Sequence, residues 1–376
     1  MTSDRHVVQR LWQDLAARGL VQGQPQAAQA AQGRTPWAVR LLMGLAGWLG
    51  AVFFLAFLLG SVFVAARDNA TAMALCGAAM IALAAVLYRR RAGATALEQF
   101  ALAVSLSGQG LLVYGASQAY GGSRLLESAA FWGALALLEA VLYMLVSNRL
   151  HRFLAALGVW TGVALALHLA MTPGLRHVWQ AMSFSLGWLA PFAITLLTGF
   201  VLAEGRLCAA GLHNWLEPAA DATLLFALGA ALVVTGLSQP QALLFDADTG
   251  RHAGNYWMAG ALFGAVLAAF VLAEAGRLQL SPAVRGTALV GAVLFSALLA
   301  GAPAVVAAAL ALGLALRRGS LPWLGLAVAA LGCGFIWYYS ALHWTLLIKS
   351  ATLAGAGIAV LLLRLAQRRD GARRQA

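Results

Sequence analysis

The chain has 376 residues, 62% of them apolar and only 10% charged, with a mean hydropathy of +0.80. Soluble domains are about one quarter charged, so this composition excludes an ordinary soluble domain and points to an integral membrane protein. The formal charge of +12 is carried by short arginine clusters between apolar runs, a pattern that marks cytoplasmic loops and argues against a nucleic-acid surface.

Residues 1–36 read as a small cytosolic module. Val7, Val8, Leu11, Trp12 and Leu15 recur at helical spacing, Gly19 ends that helix, and Gln22–Gln32 is a low-complexity linker. The helix is either a docking element or an amphipathic helix lying on the membrane or its own bundle. No apolar segment follows a basic start, so no cleavable signal peptide is expected. Cys76, Cys208 and Cys333 share no short spacing and offer neither a disulfide framework nor a zinc pattern.

From residue 37 to 366 the chain reads as a transmembrane domain, followed by a basic tail at 367–376. A spanning helix needs about 20 apolar residues. Continuous rather than alternating apolar runs select helices over a barrel. The expected spans are 38–65, 71–88, 97–116, 128–147, 153–171, 181–203, 219–237, 257–276, 284–301, 303–316, 321–340 and 345–363. The fold class is therefore all-α, a polytopic helical membrane bundle of about 12 transmembrane helices.

Residues 284–316 are long for one span and short for two, with Gly301-Ala-Pro303 as a turn between. Charge separates the alternatives. With two spans, 20 arginines share one side with both termini and 4 lie opposite; with one span the division is 13 to 11. The positive-inside bias favours two spans and cytoplasmic termini. The longest loop, 238–256, then faces outward, and no loop is large enough for a soluble catalytic domain.

An internal helix-pair repeat is suggested by Leu102–Tyr114 against Leu326–Tyr338, in which Leu, Ala, Val, two Gly and Tyr coincide without a gap. A weaker third copy starts near Leu232. Coincidence in a chain rich in Ala, Gly and Leu is the competing explanation. If the repeat holds, Glu127 and Lys349 are equivalent positions of opposite charge near the outer helix ends.

An ionisable side chain inside a span costs roughly 2.5–3.5 kcal/mol on insertion scales, so each needs a reason. Lys349 is the only lysine in the chain. It reads as an anion contact, as half of a pair with Glu127, or as a lysine snorkelling to headgroups. Glu139 is deeper, and reads as a proton site or as a carboxyl bonded to a neighbouring helix. Glu98, Glu204 and Glu274 fall near cytoplasmic ends, where an arginine or headgroup can pair with them. Gln109 lies in Ser105-Leu-Ser-Gly-Gln-Gly110, where the glycines allow close helix approach. His168 reads as a core histidine. His177, His252 and His343 sit on separate outer segments and make a poor metal site. Trp337, Tyr338, Tyr339 and Trp344 form an interfacial belt. No catalytic fingerprint, cofactor motif or metal motif occurs in a usable context, so no enzyme activity and no cofactor is expected.

Glu98–Gln109, Leu15–Val21 and Tyr338–Ser350 together resemble an uncharacterised family of polytopic bacterial inner-membrane proteins, known as a domain of unknown function. The resemblance covers most of the chain and implies a partner, a membrane-anchored protein bearing a Gly-Asp-Tyr-x-x-Leu-x-Tyr type motif encoded nearby. It brings no active-site residues. Two functions compete: a transporter-like protein with a polar site in the outer half of the membrane (Glu139, Lys349, Glu127 and Gln109), and a non-catalytic scaffold or envelope-assembly subunit binding a membrane partner. The partners expected are the lipid bilayer and that membrane protein, with no nucleic acid; the small-molecule substrate is open.

Overall fold

The computed structural model describes residues 12–13, 16–17, 37–58, 60–61, 64, 68–90, 95–171, 178–238 and 255–341. The amino-terminal linker, the twelfth expected span with Lys349, the loop 239–254 and the basic tail lie outside them. The helices are α1 Trp37–Leu58, α2 Ala70–Arg90, α3 Thr95–Ala119, α4 Ala129–Leu145, α5 Arg149–Met171, α6 Val178–Ala209, α7 His213–Ser238, α8 Asn255–Arg277, α9 Pro282–Leu298, α10 Pro303–Arg318 and α11 Leu321–Ala341, with one helical turn at Ser123–Leu126. The described residues form no strand. Seven helices (α2, α3, α5, α6, α7, α8 and α11) contain stretches long and apolar enough to cross a membrane. The protein is a multi-pass membrane protein with an all-helical fold.

The chain divides into two compact units, Met1–Tyr114 and Gly115–Ala376. In the first, glycines set the helix seams. A Cβ on Gly108 would stand 2.7 Å from the Gly77 carbonyl oxygen, so α2 and α3 touch backbone to backbone at this crossing. The Trp48 indole donates to the Gln99 amide oxygen at 3.1 Å, and the Phe54 and Phe100 rings meet at 5.6 Å. Between α1, α2 and α3 lies a cavity of about 650 Å³ with mostly apolar walls, among them Val52, Leu55, Met73 and Met80.

The second unit is built around α10. Its residues Pro303 to Ala308, Leu310, Ala311, Leu314 and Ala315 are all buried, and the helix packs against α6, α7, α8 and α11. Alanine at half of these positions lets four neighbours approach closely. Pro282 and Pro303 open α9 and α10 at the first helical position, where the missing N–H costs no hydrogen bond. Gly319, at φ +67°, closes α10 in the left-handed conformation. The doubtful stretch 284–316 is thus two helices joined by a turn at 299–302. The Thr235 hydroxyl of α7 accepts from the Ala304 N–H at 2.9 Å and donates to the Ala231 carbonyl at 2.8 Å. One of the donors that a helix start leaves unsatisfied is met in this way inside the core.

Two helices overrun their expected ends. The spans expected at 181–203 and 219–237 are the helices α6, Val178–Ala209, and α7, His213–Ser238. Apolarity ends a bilayer span but need not end a helix. The added turns carry Glu204 and Glu217, whose charges are paired across helices. The two segments compared as a possible repeat use their glycines differently. In α3 Gly108 makes the tight contact and Gly110 faces open space; in α11 Gly332 is open and Gly334 packs on Ala304.

Candidate functional site

Two polar features stand out in the second unit. The first lies in the seam between α4 and α5. Gly158 and Gly162, four residues apart on α5, present a flat strip to α4. A Cβ on Gly162 would stand 2.9 Å from the Ala136 Cβ, and one on Gly158 would stand 2.9 Å from Cγ and 3.1 Å from Cδ of Glu139. The Glu139 side chain therefore lies across the bare Gly158 backbone and is only 8% exposed. One turn further along α4, the Tyr143 hydroxyl donates to the Trp215 carbonyl of α7, and its ring meets the Trp215 ring edge-on at 5.3 Å. Arg152 closes the end of α4 by donating to the Tyr143 carbonyl at 3.2 Å and the Val146 carbonyl at 2.8 Å. A cation on the last carbonyls of a helix also meets the negative end of its dipole.

The second feature is a charge cluster at the same end of the unit. Glu217 and Asp221 are four residues apart and share one face of α7. Arg318, at the end of α10, is 8% exposed and reaches three carboxylates: Glu204 at 3.0 Å, Glu217 at 3.2 Å and Asp221 at 3.6 Å. Its guanidinium stacks 4.5 Å from the Trp323 ring centre and 5.8 Å from that of Phe200. The Trp323 indole donates to Asp221 at 2.7 Å, and His213 meets Glu204 at 2.8 Å. Arg149, with its side chain 66% exposed, bridges Glu217 at 3.2 Å and Asp221 at 3.1 Å. The planar, many-donor guanidinium suits this shared role better than an ammonium would. Ends of α5, α6, α7, α10 and α11 are thereby tied together. A smaller cluster pairs Glu274 with Arg277 at 2.8 Å and with Arg317.

The chain matches the family described as Domain of unknown function (DUF4401) over residues 36–369. It belongs to that family. No curated protein and no solved structure matches this chain.

Within this DUF4401 chain the four residues expected to form a site are distributed as follows. Glu139 is in the α4–α5 seam, six residues before the end of α4 and so about 9 Å from it. It stands two residues past the middle of the 17-residue α4. Glu127 precedes α4 at the opposite end and is exposed. Gln109 is half-buried on α3 in the first unit; Ser107, Gly110 and Leu111 beside it line the apolar cavity. Lys349 lies outside the described residues, and so does its pairing with Glu127. Glu204 and Glu274 pair with arginines near the helix ends, as their positions suggested. His168 is buried in α5.

Sequence reasoning passed over Glu217, Asp221, Arg318, Tyr143 and His151. A signal for part of the cluster was present: two carboxylates at helical spacing in a chain with few acids, and arginines at Arg149 and Arg318 bounding other helices. What the sequence lacks is the packing of α10 between α7 and α6, which brings Arg318 to all three acids.

Proposed function

We propose that this DUF4401 chain is a transporter-like protein of the bacterial inner membrane, with about twelve spans, cytoplasmic termini and no catalytic residues, in which Glu139 binds and releases a proton. One observation carries this reading: a carboxyl buried at 8% exposure in an apolar helix, laid over a glycine that leaves room for it. Carboxyls inside spans are expensive and mark ion and proton sites more than structural ones. The orientation is supported by the grouping of Arg149, Arg277, Arg317 and Arg318 with their acids at the ends of α5, α8 and α10.

The test is a thermal-shift screen of the purified full chain against ions and small solutes, with Glu139→Gln alongside. A solute at 100 times its Kd adds about 2.7 kcal/mol of stability. A stabilising solute whose effect is lost or made pH-independent in Glu139→Gln supports the reading. A Glu139→Gln protein that responds to every solute and pH as the parent does overturns it.

A second reading, a scaffold that binds a membrane-anchored partner, draws on the charge cluster that ties five helix ends together. A stoichiometric membrane partner in gentle purification, with no solute response, favours it.

A further inference from the structure

A second arginine corner lies where α8 and α10 end and α9 begins, and its charges do not balance. α8 packs against both α9 and α10. A Cβ on Gly264 of α8 would stand 2.5 Å from the Ser296 Cβ of α9, and one on Gly260 would collide with the Ala300 carbonyl. The two helices are thus antiparallel and in register. Eleven residues on from Gly264 is Ala275, and eleven back from Ser296 is Arg285, so the register sets these two level. Ser296, Ala292 and Arg285 are spaced by four and seven residues, which keeps them on one face of α9. Ser296 and Ala292 are buried; Arg285 is half-buried, with its Nε shut off from solvent. Arg285 is thereby placed on the α8-facing side, level with the turn of α8 that carries Glu274 and Arg277.

That Nε has no acceptor among the described residues. The carboxylate of this turn, Glu274, is taken by Arg277 at 2.8 Å and by Arg317 of α10. Three guanidinium groups thus share a corner with one acid. The backbone adds to the imbalance. α9 starts at Pro282 with no acidic residue in its first turn and no side-chain cap from Ser281. A helix start is the positive end of the dipole, so a cation in this turn is disfavoured until an anion joins it. A charge withdrawn from water needs a counter-charge for the same reason. Leu272, Leu278 and Val284, close in sequence to Arg277 and Arg285, are exposed. The corner therefore sets cationic donors next to bare apolar side chains, at the end of a helix long and apolar enough to cross a membrane.

We propose that the α8–α9 corner binds the phosphate of an anionic phospholipid, with Arg285 donating to it and Arg277 and Arg317 supplying the surrounding positive charge. The guanidinium fork fits two oxygens of a phosphodiester, a match that an ammonium lacks. Inorganic phosphate shares this chemistry, but the exposed leucines and valine favour a source that carries acyl chains. Basic pockets between spanning helices suit such head groups. The site lies apart from Glu139 and does not depend on its role.

The experiment titrates the full chain, stripped of lipid in a neutral detergent, with dioleoyl phosphatidylglycerol, with dioleoyl phosphatidylcholine and with inorganic phosphate. Native mass spectrometry counts the retained lipid, and thermal unfolding follows its effect. The parent is compared with Arg285→Gln, Arg285→Lys and Arg206→Gln. Arg206, an exposed arginine in the last turn of α6, removes the same charge elsewhere. Phosphatidylglycerol is expected to bind the parent in preference to phosphatidylcholine. Its Kd rises about tenfold or more in Arg285→Gln, the loss for a hydrogen bond to a charged group. Arg206→Gln binds as the parent does, and Arg285→Lys, which keeps the charge and loses the fork, falls between. Without lipid, Arg285→Gln unfolds at the parent midpoint or above, because it removes an uncompensated charge; a variant that fails to fold overturns the reading of Arg285 as unpaired. Equal binding of the two lipids, or equal losses in Arg285→Gln and Arg206→Gln, overturns the site in favour of diffuse surface charge. Inorganic phosphate that phosphatidylglycerol does not displace overturns the lipid as the source.

Discussion

Arg318 and Arg149 touch two of the same carboxylates from opposite degrees of exposure. Arg318 is buried between two aromatic rings and meets three acids; its removal takes their shared buried cation away and leaves Glu204 to His213, and Glu217 and Asp221 to the exposed Arg149 and the Trp323 indole. Breaking a buried pair from one side costs about 3–5 kcal/mol, so Arg318→Ala is expected to lower unfolding stability by that order. Arg149 works at the water boundary with its side chain 66% exposed, where pairs are worth about 0–1 kcal/mol, and Arg149→Ala is expected to change little. Denaturant titration of both variants in the same micelle, read by tryptophan emission, checks the contrast; equal losses would mean the cluster is not organised around Arg318. Glu139 was legible in the sequence as an odd charge in a span. That it lies over Gly158 was not, because its register against α5 is a matter of packing.

Seams between helices carry the next level of specificity. Gly158→Ala puts a methyl group within 2.9 Å of the Glu139 Cγ, and overpacking of this kind costs roughly 1–3 kcal/mol. The double variant Gly158→Ala with Glu139→Ala is expected to recover part of that loss, because the atoms in collision are gone. Additive losses in such a cycle would show that the two residues do not meet. The start of α10 offers a second test. Thr235→Val keeps the shape and removes the oxygen that accepts from the Ala304 N–H, leaving a buried donor unmet. The expected cost is about 1–3 kcal/mol, measured as the shift in denaturant midpoint. The helix pair α9 and α10 could be read from sequence, since Pro303 and Gly301 mark a turn and the arginine count needs a reversal there. That α10 is the buried centre of its unit could not, because a helix made mostly of Ala, Leu and Val looks alike whether lipid or protein surrounds it.

At the scale of the molecule, the arginine-bearing helix ends predict an orientation that reporter fusions can test. Fusions after residue 376 and within loop 238–256 are expected to report opposite sides of the membrane, with the C-terminal fusion cytoplasmic. A cytoplasmic report from both would break the expected count of spans. By itself the amino-acid sequence determined the class, the helical segments among the described residues to within a few turns, and the pattern of positive charge, and it carries the residues by which the chain belongs to DUF4401. Each of these follows from local quantities: hydropathy summed over a window, turn residues, and the sign of charge between apolar runs. Only the tertiary structure decided which polar groups meet. Arg318 finds Glu204, Glu217 and Asp221 across more than ninety residues of chain, and Glu139 finds Gly158 of the neighbouring helix. In an apolar medium such encounters are selected by close packing of small residues and by the cost of leaving a charge alone, and both depend on which helix faces which.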